Sequence, residues 1–280
     1  MKNMFKSKRY DDETLKHLQK VQLKIFNYFL KVCEYNDIPY FIYGGSLLGT
    51  IRHKGFIPWD DDIDVIMFRE DFEKLNKILL KNIDDEYKFI NVLNEETYHF
   101  TWARLMLKDT VFKEWWADQV EYTPNIFIDI FVLDNIPNNK IKRFIHKWTS
   151  FSLNQLTMYA FIKYDNESKL KKIFQRFIYY FLKVIPISSY SVKRKCIKTY
   201  AKYQNEDCDE VCDFPAICQM PVYSKTDWLP AKKAKFENIE VNIPNNYDKV
   251  LKRTYGDYME LPPEEKRFRP APDEIDFGKY

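Results

Sequence analysis

The chain has 280 residues, 45% hydrophobic and 30% charged, so it can bury a proper core and is not disordered by composition. Its net charge of +3 hides a separation: residues 140–203 hold 15 Lys/Arg against 2 Asp/Glu, and the remainder holds 29 against 39. An odd count of five cysteines, a charged N-terminus without an apolar leader, and no run near the ~18 apolar residues of a membrane span together read as a reduced, cytoplasmic protein.

Residues 11–36 place Leu15, Leu18, Ile25, Phe29 and Val32 at helical spacings behind an acidic first turn, which predicts an amphipathic helix ended by Pro39. Residues 40–43 read as a short strand, followed by the Gly44-Gly45 turn and a helix-like run over 46–52. A strand is predicted over 63–67 and a helix over 70–81, with further strands over 87–92, 100–107 and 111–115. The clearest strand is 126–133, where the sheet is expected to end. From 139 to about 203 the pattern turns helical, basic and aromatic, and 205–230 reads as irregular. A strand is expected over 236–243 and a last helix over 247–255, before a tail rich in proline and charge. The division that follows is a core (1–138), a helical region (139–203) and a C-terminal region (204–280) packing back on the core. The fold class is α/β (α+β), a mixed-sheet core with a mostly helical, basic appendage.

The chemistry concentrates around Asp60-Asp61-Asp62-Ile63-Asp64. Asp62 and Asp64 stand two apart at the start of a strand, so both side chains leave one face while Ile63 and Val65 enter the core. Two carboxylates on one face repel each other, and a hard divalent cation relieves that repulsion; a solvated acidic turn is the competing reading. Asp129 lies inside the otherwise apolar run 126–132. Buried there, it needs a partner, either a buried arginine such as Arg104 or a cation shared with Asp62 and Asp64. Three acids around one or two cations are the parts that phosphoryl transfer requires. Gly44-Gly45-Ser46 opens a helix and can bring backbone amides to a phosphate, and Arg52, His53 and Lys54 add positive charge between glycines and acids.

In this order the parts resemble the nucleotidyltransferase superfamily. More narrowly, YGGSLLGTIRHKGFIPWDDDIDV (43–65) resembles the signature of the LicD family, phosphocholine transferases related to the fukutin-type ribitol-phosphate transferases. The resemblance continues in FIDIFVLD (127–134) and in FENIEVNIPNNYDKVLKRTYGDYMELPPEEKR (236–267), and it is loose over 139–203. It implies Asp62, Asp64 and Asp129 as metal-binding and catalytic acids, with Mg²⁺ (or Mn²⁺) as the cation. Gly45 and Ser46 fall on its phosphate-contacting turn, and Arg52, Lys54 and Arg104 on basic positions read here as substrate-binding. The reaction it implies moves a phospho-alcohol, phosphocholine first, from a CDP-alcohol to a hydroxyl of a cell-surface glycan such as a lipopolysaccharide or teichoic-acid precursor, releasing CMP. Two rivals are a nucleotidyltransferase that releases pyrophosphate and a catalytically silent glycan- or membrane-binding protein.

Other features point less sharply. Trp102, Trp115, Trp116 and Tyr122 could supply an aromatic cage for choline. Cys208, Cys212 and Cys218 lack a paired C-x2-C and read as free thiols rather than zinc ligands. The basic aromatic region suits the face of an anionic membrane on the cytoplasmic side, and nothing in the chain marks a nucleic-acid partner.

Overall fold

The computed structural model describes residues 9–161, 189–216 and 220–280, together with Ile173, Arg176, Phe177 and Tyr180. The first helix, α1 (Asp12–Tyr35), starts where Asp11 accepts from the Thr14 amide at 2.8 Å, and its apolar stripe of Leu18, Ile25 and Phe29 is fully buried. It is followed by β1 (Phe41–Ile42), α2 (Gly44–Arg52), β2 (Asp64–Phe68), α3 (Arg69–Asn82), β3 (Tyr87–Ile90), β4 (Ala103–Leu107) and β5 (Val111–Lys113). Then come β6 (Phe127–Ile136), α4 (Lys140–Phe161), α5 (Ser189–Tyr200), β7 (Glu210–Asp213), β8 (Val222–Ser224) and α6 (Lys225–Trp228). The chain closes with β9 (Lys232–Phe236), β10 (Ile239–Ile243), α7 (Tyr247–Tyr255) and β11 (Glu274–Asp276).

The mixed sheet runs β1-β2-β6-β4-β3, with β7 and β8 added beyond β6. β6 is the spine: parallel to β2 on one side and antiparallel to β4 on the other. Its residues are mostly buried, as its Val/Ile/Leu/Phe content demands of a strand covered on both faces. The register pairs Asp129 with Asp64 of β2 and with Arg104 of β4, so three charged residues stand in one row across three strands.

The sheet does not end at Leu133. The last residues of β6 pair with β7, which pairs with β8, inside the stretch expected to be irregular. Short strands interrupted by Cys, Asp and Pro carry no alternation of their own; they form because β6 outruns β2 and β4 and offers a free edge. The strand expected over 236–243 is a hairpin instead, β9 and β10 joined at Glu237, whose φ is +53°. The tail also contributes structure: β11 pairs with β5, and Arg9 bridges to Pro270.

Both described parts of 139–203 are helical, and the stretch between them falls outside the described residues apart from the four single positions. α4 and α5 pack on each other and share a second core of Leu153, Cys196, Tyr200 and Phe214 with the ends of β6 and β7. Lys193, only 1% exposed, donates to the carbonyls of Glu95 at 3.1 Å and Glu96 at 2.5 Å, tying α5 to the sheet domain. Among the described residues, no helix is long and apolar enough to cross a membrane.

Candidate active site

The acidic loop is held from beneath by α1. Gln19 donates to the Asp60 carbonyl at 2.9 Å and Gln22 to the Asp61 carbonyl at 2.5 Å. Gln22 is 1% exposed and sits four residues after Leu18 on the apolar stripe, so a polar residue on a buried face was the one local sign of this anchor. The side chains of the first two acids are also engaged. Asp61 accepts from the Tyr10 hydroxyl at 2.8 Å, and buried Asp60 pairs with Arg269 Nε at 2.9 Å.

Asp62 and Asp64 differ from these. Asp62 precedes β2 and Asp64 opens it, and the ladder extends back one residue because the Ile63 carbonyl accepts from the Asp129 amide at 2.9 Å. Asp62 Oδ1 is buried without a hydrogen-bond partner. Asp64 Oδ2 lies against the Gly44 backbone, where a Cβ would sit 2.6 Å away, and Asp60 Oδ2 lies 2.5 Å from the place of a Gly45 Cβ. Gly44 also has φ +54°, so only glycine suits both the turn and the close approach. Ser46 is buried, and its Oγ accepts from the Asp64 amide at 3.0 Å. The glycine turn therefore positions the acids, and its amides open α2 beside them.

Asp129 has two donors on one oxygen: Arg104 Nε at 2.8 Å and Trp102 Nε1 at 2.9 Å. Arg104 is 4% exposed, with its guanidinium carbon 3.6 Å from the Phe127 ring centre and 4.6 Å from that of Phe100. The arginine partner considered from the sequence is thus realised through Nε, while Arg104 Nη1 is buried without a hydrogen-bond partner, 3.9 Å from Glu114. Lys54 Nζ donates to the Ile51 carbonyl at 3.2 Å, and the Lys54 carbonyl accepts from the Glu237 amide. Arg52 does reach the site, donating to the carbonyls of Tyr258 at 2.7 Å and Glu260 at 3.2 Å.

The electrostatics are those of crowded like charges. Burial, then the charge of Asp64, pushes the Asp62 carboxyl well above the usual range; burial and Asp129 do the same to Asp64. Burial raises Asp61 to about 6 despite the Tyr10 hydrogen bond. Burial also raises Asp129, against the pull of Arg104 and Trp102. Tyr255 is raised by burial and by the negative charge of Asp64, Asp60 and Asp62.

Beside them opens a cleft of about 520 Å³, within the size range of small-molecule sites. Gly45 and Asp60 form part of its inner wall, and Arg52, Lys266 and Arg269 give it positive charge. Trp59, Tyr255, Tyr258 and Phe268 supply aromatic surface. The far wall comes from the tail beyond α7, which carries no periodic signal that would have marked it. Of the suggested cage residues, Trp116 and Tyr122 are buried, Trp102 serves Asp129, and Trp115 is exposed. Cys208 and Cys212 are free thiols, and Cys218 lies outside the described residues.

A profile of the LicD/FKTN/FKRP nucleotidyltransferase domain matches residues 37–165. The lipopolysaccharide cholinephosphotransferase LicD of Haemophilus influenzae is 30% identical over 259 residues, covering 90% of this chain and 94% of that protein. The chain belongs to the LicD family. A shorter match, 38% identical over 66 residues, covers 22% of this chain and 13% of the human ribitol 5-phosphate transferase FKRP. As a LicD-family member the chain is a phosphotransferase.

The acid site can be tested for its fit to a cation. The only described group of three acids with ligand atoms all within 4.8 Å of one another is Asp60, Asp61 and Asp62. The set read from the sequence is Asp62, Asp64 and Asp129; the two sets share Asp62. Asp60 accepts from Arg269 and Asp61 from Tyr10, whereas Asp62 Oδ1 is buried without a hydrogen-bond partner; the charge of Arg269 acts on Asp62 and Asp64 too, but burial and the neighbouring carboxylates outweigh it. Hard oxygen donors, partly desolvated and mutually repelling, fit a divalent cation of the Mg²⁺ kind.

Proposed function

We propose that this LicD-family enzyme transfers a phospho-alcohol, phosphocholine first, from a CDP-alcohol to a hydroxyl of a cell-surface glycan precursor, releasing CMP. The observation that carries the reading is the orphaned buried oxygen of Asp62 beside Asp64, next to a cationic and aromatic cleft. Asp62 and Asp64, with Asp129 as third acid, would hold Mg²⁺ or Mn²⁺, which when bound neutralises the charge of the diphosphate. Arg269, Arg52 and Lys266 line the space in which a nucleoside diphosphate would lie, and the aromatic side chains offer faces for a base or a quaternary ammonium.

The acceptor oxygen attacks the distal phosphorus of the donor. The bond from that phosphorus to the bridging oxygen breaks, and CMP leaves with the bridging oxygen and its electron pair. The acceptor's proton must be taken as the new P–O bond forms. Asp129 is proposed for this: Arg104 and Trp102 occupy one of its oxygens and orient the other. Attack at the phosphorus nearest the nucleoside would instead transfer a nucleotide, a choice set by how the donor lies across the acids.

Incubation with CDP-choline, CDP-ribitol, CDP-glycerol and CDP-ethanolamine plus Mg²⁺, with a glycan acceptor, tests the reading by CMP release. CMP formation that needs both acceptor and Mg²⁺, and that Asp64→Asn abolishes, supports it. Pyrophosphate release from a nucleoside triphosphate in place of CMP would sink it and favour the nucleotidyltransferase alternative. Full biological function retained in Asp64→Asn and Asp129→Asn would favour a silent binding protein.

A further inference from the structure

α4 has two faces. The 3.6-residue repeat puts His146, Ser150, Leu153, Asn154 and Thr157 on one side, and all five are buried. The opposite side carries Ile141, Phe144, Ile145 and Trp148, which are 72%, 64%, 55% and 56% exposed. These four form one continuous stripe, with Phe144 and Trp148 in edge contact at 6.0 Å between ring centres. Scattered apolar residues on a surface need no explanation, but four large ones along two turns of one helix leave a face that water solvates poorly.

The charge around the stripe says what would cover it. On a helical wheel Lys142 flanks it on one side and Lys140 on the other, and both are exposed. The stretch to which α4 belongs, residues 140–203, holds 15 Lys/Arg against 2 Asp/Glu. An apolar stripe bearing Trp and Phe between lysines matches the boundary between acyl chains and anionic headgroups, with the rings at the interface and the ammonium groups at phosphates. Among the described residues no helix is long and apolar enough to cross a membrane, and the contact argued here is with its surface.

We propose that the outward face of α4 docks on an anionic lipid surface through Ile141, Phe144, Ile145 and Trp148, with Lys140 and Lys142 as the electrostatic component. The inference does not depend on the donor or acceptor of the reaction.

The test is co-sedimentation of the full chain with vesicles of phosphatidylglycerol and phosphatidylcholine in equal parts, and with phosphatidylcholine alone. The protein is expected to pellet with the anionic vesicles at low salt and to be released as salt rises. Phe144→Ser/Trp148→Ser should remain in the supernatant while keeping wild-type circular dichroism and melting temperature, because both side chains are exposed. Lys140→Ala/Lys142→Ala should lower the partition coefficient by roughly 30-fold. Wild-type sedimentation by the Phe144/Trp148 variant, equal binding to both vesicle types, or no binding at low salt would each overturn the proposal. So would a wild-type dimer in lipid-free light scattering that Phe144→Ser/Trp148→Ser dissolves, since a second copy of the chain would then cover the stripe.

Discussion

Asp62→Asn probes what the acid site costs the fold and what it is for. Residues two apart on an extended chain are roughly 6.7 Å apart, so full charges on Asp62 and Asp64 repel by about 2.5 kcal/mol at an effective dielectric near 20. Asp62 Oδ1 makes no hydrogen bond that the substitution would break. Removing one charge should therefore stabilise the metal-free protein, by roughly 1–2 kcal/mol once partial protonation has relieved some of the repulsion. For a chain of this size that corresponds to a melting temperature about 2–3 °C higher. Mg²⁺ at a hundredfold excess over its dissociation constant should add about 2.7 kcal/mol to the wild type and little to the variant. The assay is differential scanning fluorimetry in EDTA and across a Mg²⁺ series, near pH 8. A lower melting temperature for Asp62→Asn in EDTA, or an unchanged Mg²⁺ response, would refute the picture of an unpaired acid awaiting a cation.

Further expectations rest on single contacts. Arg69 and Asp134 form a buried two-point ion pair with both bonds at 2.7 Å, so Arg69→Met should cost about 3–5 kcal/mol in urea unfolding, and Arg69→Met/Asp134→Leu should recover much of it. Arg104→Met should lower turnover by about 10–100-fold with little change in donor KM, because it supports Asp129; a rise in KM alone would mean that Arg104 meets the phosphates. Lys54→Ala should leave activity within about twofold, as its side chain stays on the Ile51 carbonyl. Burial lifts Asp213 to about 7 from 3.8, so the fold favours the protonated acid. Its contribution is complete below the unfolded value and fades as pH rises from there to about 7, by on the order of 4 kcal/mol, and Asp213→Asn should flatten that slope in urea midpoints.

Local patterns carried a good part of this molecule. The alternation of Asp62-Ile63-Asp64-Val65, the helical spacing of Leu18, Ile25 and Phe29, and the apolar run around Asp129 are each written within a few residues, and each formed the element expected. They could do so because burial of one face is decided by periods of two or 3.6 residues. The family was also legible, from the three stretches 43–65, 127–134 and 236–267. The partners of the acids were not. Arg269 meets Asp60 across 209 residues of sequence, from a proline-rich tail with no periodicity. Tyr10, Gln19 and Gln22 reach the acid loop only because α1 packs beneath it. Arg104 and Asp129 share a register that no single strand encodes, and β7 and β8 exist because β6 left an edge unpaired. Which acids already have a hydrogen-bonding partner is a property of these long-range contacts, and only the tertiary structure decided it.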